Sequence, residues 1–237
     1  DGEEAVMMTR LQKTRILFLK DWKDTLKNGN GMILAVLPLF FTLLYRMLPI
    51  DGMPMPREFI SLIGVLMNLA LVPVALLSMM IAEEKEKNTL RTLMLSNVGA
   101  VEFLTSKCLV VLVLLSVVNL AVFFLTGMAL SALPLFLLVT TLTALCLMFL
   151  GAVIGLLCKN QMSTGTLASP VALLLMIPPM FAQMNDTVAK IAQFIPTYSM
   201  IELLYMNGQP KALPWMVIGV WLVGAFALFM LVYRKKR

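Results

Sequence analysis

The chain has 237 residues, of which 60% are hydrophobic and only 14% charged, with a formal net charge of +6 and a mean hydropathy of +0.90. A soluble domain carries about 45–50% apolar and about 25% charged residues, so a water-soluble globule and a disordered chain are both excluded. Histidine is absent, which removes Ser-His and Cys-His nucleophile pairs, HExxH zinc sites and bis-histidine haem ligation. The three cysteines, Cys108, Cys146 and Cys158, lie within or at the ends of apolar runs and read as small buried hydrophobes; neither a metal site nor a disulfide framework is expected.

Residues 9–27 place Leu11, Ile16, Leu17, Leu19 and Trp22 among Arg10, Lys13, Arg15, Lys20, Lys23 and Lys27. That mixture is too polar to span. It predicts an amphipathic helix in the membrane interface with Trp22 at headgroup depth, inside a cytoplasmic tail covering 1–30. Asn28-Gly29-Asn30-Gly31 ends this helix and turns the chain into the membrane. The segment lacks the layout of a cleaved signal, since about thirty mixed residues precede the first apolar run.

Blocks free of Asp, Glu, Lys and Arg then cover 28–45, 59–82, 108–158, 160–185 and 212–233. The third is too long for one crossing of about 20 residues, and Ser131-Ala132-Leu133-Pro134 near its centre supplies a turn. The sequence therefore predicts an all-α, polytopic membrane protein with six transmembrane helices near 31–48, 59–82, 106–130, 133–157, 162–182 and 213–233. Pro38, Pro73, Pro170, Pro178 and Pro179 predict kinks or breaks in spans 1, 2 and 5. Gly151-x-x-x-Gly155 in span 4 permits close helix approach, either inside the protein or against a second copy.

Lysine and arginine orient the spans, because short cytoplasmic loops are enriched in both. With both termini and loops 2–3 and 4–5 on one side, that side holds fifteen of the 19 basic residues; the other holds only Arg46, Arg57, Lys190 and Lys211. The expected topology is a multi-pass protein of the plasma membrane with cytoplasmic N- and C-termini. The positive charge reads as a topology signal and an attraction to anionic lipid, not as nucleic-acid binding.

The loop expected over 83–104 begins EEKEKNTLRTLMLSNVGAVE. Carboxylates at a helix C-terminus oppose its macrodipole, so helix stability does not explain Glu83, Glu84 and Glu86. Asn88 or Thr89 caps a further short helix, on which Leu90, Leu93 and Met94 share one apolar face. A short amphipathic helix on a cytoplasmic loop is a docking knob for another protein. Between spans 5 and 6, within the external loop 183–212, Phe194, Ile195, Tyr198, Ile201, Leu204 and Tyr205 give an apolar helical face, while Lys190 and Glu202 prevent the segment from being a span.

Six spans, an interfacial N-terminal helix and an acidic "E-K-E-x-G-T-L-E-x-L-x-x-S/T-P" stretch after span 2 resemble the permease subunits of type-2 ATP-binding-cassette (ABC) exporters. Glu84-Lys85-Glu86, Thr89-Leu90, Leu93 and Ser96 carry the resemblance; Asn88, Arg91 and Asn97 stand where the pattern has glycine, glutamate and proline. The resemblance implies a cytoplasmic coupling helix after span 2 that contacts an ABC ATP-binding subunit through Glu83, Glu84, Lys85, Glu86, Thr89, Leu90, Leu93 and Met94, with the helix around Trp22 resting on the same subunit. It also implies short external re-entrant helices between spans 5 and 6, where Pro196 precedes a helix bearing Tyr198 and Glu202 and Gly208 follows it, at an external gate.

Energy supply follows from what the spans lack. Apart from Arg46 and Lys107, close enough to span ends to snorkel, the blocks hold no ionisable side chain of the kind that couples transport to protons or ions. No GxxxxGK[ST] loop is present either. The chain is therefore expected to be a transport subunit and not an enzyme, binding no cofactor itself, with ATP and magnesium on the partner. Asn68 and Asn119 are the strongest substrate-pathway residues, because an amide in hydrocarbon is costly to leave unpaired. The expected cargo is apolar or amphipathic (a lipid, a hydrophobic peptide or a drug-like molecule), moving outward through a homodimer or a heterodimer with a related permease. The competing readings are an ATP-independent channel or secondary carrier, and a non-transporting membrane subunit that recruits an ATPase.

Overall fold

A computed structural model describes residues 2–48, 55–87, 100–182, 184–205 and 212–236, and among these the chain is helical without strands. Helix α1 (Gly2–Lys27) is separated from α2 (Gly29–Met47) by one residue, Asn28, whose side chain accepts from the Gly31 N–H at 3.2 Å and caps α2. The break is shorter than the four-residue turn that the two glycines suggested, because both are absorbed into α2.

The second span is built from α3 (Arg57–Leu71), one wide π-helical turn (Val72–Leu76) and α4 (Leu77–Glu86). Pro73 has no N–H to give the helical ladder, and the chain accommodates it by widening a turn instead of breaking. By contrast α2 runs unbroken through Pro38. The residues Glu83–Glu86, expected to open the following loop, continue the helix. At 30 residues and 1.5 Å each this unit is about 45 Å long, so its charged last turn projects beyond the hydrocarbon.

Helix α5 (Ala100–Thr126) ends at Gly127, whose φ of 67° turns the chain. A short 3₁₀ turn (Leu130–Ala132) then leads into α6 (Leu133–Leu157), with Pro134 in its first turn. Helix α7 (Gln161–Phe181) starts in a reciprocal capping box between Asn160 and Ser163 and passes unbroken through Pro170, Pro178 and Pro179. Two short helices, α8 (Asp186–Ala192) and α9 (Pro196–Tyr205), precede α10 (Ala212–Lys236). Among the described residues six helical stretches are long and apolar enough to cross a membrane: Gly29–Met47, Arg57–Glu86, Glu102–Thr126, Leu130–Leu157, Gln161–Phe181 and Ala212–Lys235.

The second span is the core of the bundle. Its most apolar stretch is 83% buried, against 22% for α2 and for α10. Helix α6 lies directly against it: a Cβ on Gly151 would stand 2.2 Å from the Pro73 carbonyl oxygen, and one on Gly155 would stand 2.8 Å from Ile81 Cβ. Gly151-x-x-x-Gly155 thus serves an internal contact, set against the carbonyl that the proline turn presents. Outward, α2, α7 and α10 expose Phe40, Leu174, Val220 and Leu231, the surface expected of helices whose solvent is lipid.

Candidate functional site

At the end of span 2 the charges of the sequence turn inward. Glu84 is 7% exposed, Lys107 2% and Asp21 3%. Lys107 Nζ lies 3.0 Å from Asp21 Oδ1 and 3.2 Å from Glu84 Oε1, and Lys20 Nζ lies 2.8 Å from the same Glu84 oxygen. Ser106 Oγ donates to the other Asp21 oxygen at 2.8 Å, and the Phe103 ring sits 4.9 Å from the Lys107 ammonium. Two lysines thus balance two carboxylates taken from α1, α4 and α5. Neutrality makes the cluster tolerable in a dry site; removing one partner strands a buried charge at a cost of about 3–5 kcal/mol.

The local sequence explains why α1 presents these groups. Leu17, Asp21 and Thr25 follow at intervals of four and form its buried stripe along α5. Thr25 Oγ1 returns its hydroxyl to the Asp21 carbonyl at 2.7 Å. The outward side carries Leu11, Ile16, Leu19 and Leu26. Trp22 is half-buried and stacks on Phe18 with centroids 6.1 Å apart. Burial lowers the Lys20 pKa, but the Glu84 hydrogen bond and the charges of Glu84, Asp21 and Asp24 outweigh it, so the net displacement is upward.

The neighbours of Glu84 tie down the remaining elements. Lys85 Nζ donates to the carbonyls of Leu156, at 2.8 Å, and Cys158, at the C-terminus of α6. Glu86 Oε2 accepts from the Gln161 N–H, the first of α7, at 2.9 Å. Two consecutive side chains therefore place a cation on one helix C-terminus and an anion on the next N-terminus, each favoured by the helix dipole. Glu83 pairs with Lys87 and accepts from Asn28 Nδ2 at 3.5 Å. The Lys87 pKa is raised, chiefly by its hydrogen bond to Glu83. The unfavourable acidic helix end is thus explained by partners on α1, α5, α6 and α7 and by Asn28 between α1 and α2.

The expected docking residues Thr89, Leu90, Leu93 and Met94 lie outside the described residues. Asn68 and Asn119 are fully buried and face each other: Asn68 Nδ2 donates to Asn119 Oδ1 at 2.7 Å and to the Leu115 carbonyl at 3.0 Å. Asn68 Oδ1 and Asn119 Nδ2 have no hydrogen-bond partner. Pro196 is buried at the start of α9, with Tyr198 and Glu202 half-buried one turn apart on that helix. Helix α9 packs against α3, α6, α7 and α10; Thr197 Oγ1 donates to the Leu175 carbonyl at 2.5 Å and Tyr205 pairs with Ser61 at 2.9 Å.

Sequence reasoning missed Asp21, Ser106 and Lys107. Lys107 does not snorkel: it points into the bundle, which corrects the expectation of spans without an internal ionisable group. All of its partners lie at the same end of the bundle, so it spans no depth as a proton relay would. Four polar residues of the otherwise apolar α5, Ser106, Lys107, Asn119 and Thr126, are buried, but they are spread around the helix and form no single stripe that the sequence could reveal. Arg46, the other residue read as snorkelling, donates to the Leu125 carbonyl.

A search of curated proteins returned no match to the chain. A family model described as ABC-2 family transporter protein matches residues 57–234, from the first residue of α3 into the last turns of α10. Taken with the six apolar helices, that match over most of its length places the chain in the ABC-2 transporter family, as a multi-pass membrane protein.

Proposed function

We propose that the chain is the permease subunit of an ATP-driven exporter, powered by a separate ATP-binding subunit that carries the nucleotide and magnesium. Membership of the ABC-2 family supports a permease subunit and, in general terms, an ATP-binding partner. The observation that carries the reading further is the wiring of Glu83–Lys87: the last charged turn of the most buried span is bonded to four other helices, immediately ahead of residues 88–99. A push delivered through Leu90, Leu93 and Met94 would reach all of them as one unit, because buried ion pairs resist separation.

In this reading the basic end faces the cytoplasm of a plasma-membrane protein, as the positive-inside pattern favours, and Trp22 lies beside the ATPase. Span 2 and α5 move with the charged turn and open a path at the seam between two permease copies, identical or related. Asn68 and Asn119, each with one unpaired amide atom, offer hydrogen bonds to cargo when that seam opens, while Pro196, Tyr198 and Glu202 shape the external exit. Cargo is apolar or amphipathic and moves outward. Copurification with candidate ATP-binding proteins tests the coupling: the native chain retains one ATPase under mild detergent, and Leu93→Asp loses it. Equal retention by both chains, or by neither, would sink the coupling reading.

A further inference from the structure

Beside the Lys107 cluster lies a cavity of about 240 Å³ between α1, Asn28, α4 and α5. Its volume falls below the about 300–1,000 Å³ of pockets that enclose drug-sized molecules, so it suits one end of a molecule. Leu76, Met79 and Met80 form the apolar part of its lining beside the buried Asp21, Glu84 and Lys107, and the less buried Lys20, Asp24, Glu83 and Lys87 form its rim. Met79, Met80, Glu83 and Lys87 lie at the end of span 2, and Lys20 and Asp24 lie on α1 shortly before span 1, where hydrocarbon gives way to lipid headgroups.

Among the described residues the charges around the cavity do not cancel: four carboxylates face three lysines. Each lysine is engaged, Lys107 by Asp21 and Glu84, Lys20 by Glu84 and Lys87 by Glu83. The Asp24 carboxylate is exposed at the rim and makes no ion pair among the described residues. The spare charge is negative, so an occupant must bring a cation. Among the described residues no aromatic ring lines the cavity, which disfavours a quaternary ammonium, whose recognition uses aromatic faces. A primary ammonium has three N–H donors and finds oxygen acceptors at Asp24, Glu83 and Asn28. Lys20 and Lys87 have side chains 41% and 63% exposed, and each ammonium keeps N–H donors beyond the one given to its carboxylate for a phosphate at the mouth.

We propose that this cavity binds the phosphoethanolamine head of a zwitterionic phospholipid, with the ammonium at Asp24, the phosphate toward Lys20 and Lys87, and the glycerol end against Met79 and Met80. The site holds α1 to the bundle through a resident lipid and does not rest on the exporter reading. Native mass spectrometry of the purified full chain tests it with phosphatidylethanolamine, phosphatidylcholine and phosphatidylglycerol of identical acyl chains. The native chain should retain the ethanolamine lipid about tenfold more than either of the others, the factor that a charge-assisted hydrogen bond supplies. Asp24→Asn should lower ethanolamine-lipid retention to the choline-lipid level, and Asp186→Asn, at an exposed acid on α8, should leave the preference intact. Equal retention of the three lipids, preference for phosphatidylglycerol, a preference undiminished in Asp24→Asn, or equal losses in both variants would overturn the proposal.

Discussion

The two ends of span 2 are held by different chemistry. At the Glu86 end, ion pairs and helix-terminus contacts join α1, α5, α6 and α7. At the Arg57 end the contacts are mostly neutral: Ser61 Oγ pairs with Tyr205 at 2.9 Å and lies 3.2 Å from Met128 Sδ. A neutral hydrogen bond contributes about 0.5–1.5 kcal/mol net, whereas breaking a buried ion pair costs about 3–5 kcal/mol. The first end therefore behaves as one block, and the second can part contact by contact. That asymmetry suits a lever driven from one end that opens at the other.

The largest effect should come from Lys107→Met, which leaves Asp21 and Glu84 buried without their shared cation. Thermal unfolding in detergent should show a loss of about 3–5 kcal/mol, partly restored by adding Asp21→Asn; a loss below about 1 kcal/mol would show that the block is not held by charge. Next, Gly151→Ala forces a Cβ to within 2.2 Å of the Pro73 oxygen and should cost about 1–3 kcal/mol. Gly219→Ala, where a Cβ meets nothing within 4 Å, serves as its control and should be nearly neutral.

Tyr205→Phe probes the looser end. It removes one neutral hydrogen bond to Ser61 and should destabilise by about 0.5–1.5 kcal/mol, so a loss as large as that of Lys107→Met would erase the contrast between the ends. The smallest effect is that of pH on Lys20. Because its pKa stands above the ordinary 10.5, its stabilising contribution is fully present below that value and is lost only as pH rises through the raised one. Hydrogen exchange in α1 should therefore be insensitive to this lysine between neutrality and pH 10; release of α1 nearer neutrality would assign its attachment to another group.

The spans were legible because hydrophobicity over a stretch of about 20 residues outweighs any local preference. Their inward faces were not, since leucine, valine and phenylalanine occur on every side of α5 and leave no periodic contrast for the eye. Lys107 was misread because its distance from a span end fits snorkelling as well as burial. Glu83, Glu84 and Glu86 were recognised as unexplained by helix stability, yet their partners lie as far away as Lys20 and Gln161 in sequence and are brought together only by the bundle. Pro73 announced a disturbance; that it would widen a turn and face Gly151 depends on the neighbouring helix.

The most direct measurement of the central claim is efflux of a fluorescent amphiphile from vesicles carrying the chain, with and without its ATP-binding partner and ATP. The account predicts outward flux only when the partner and ATP are both present. Equal flux in their absence would contradict it.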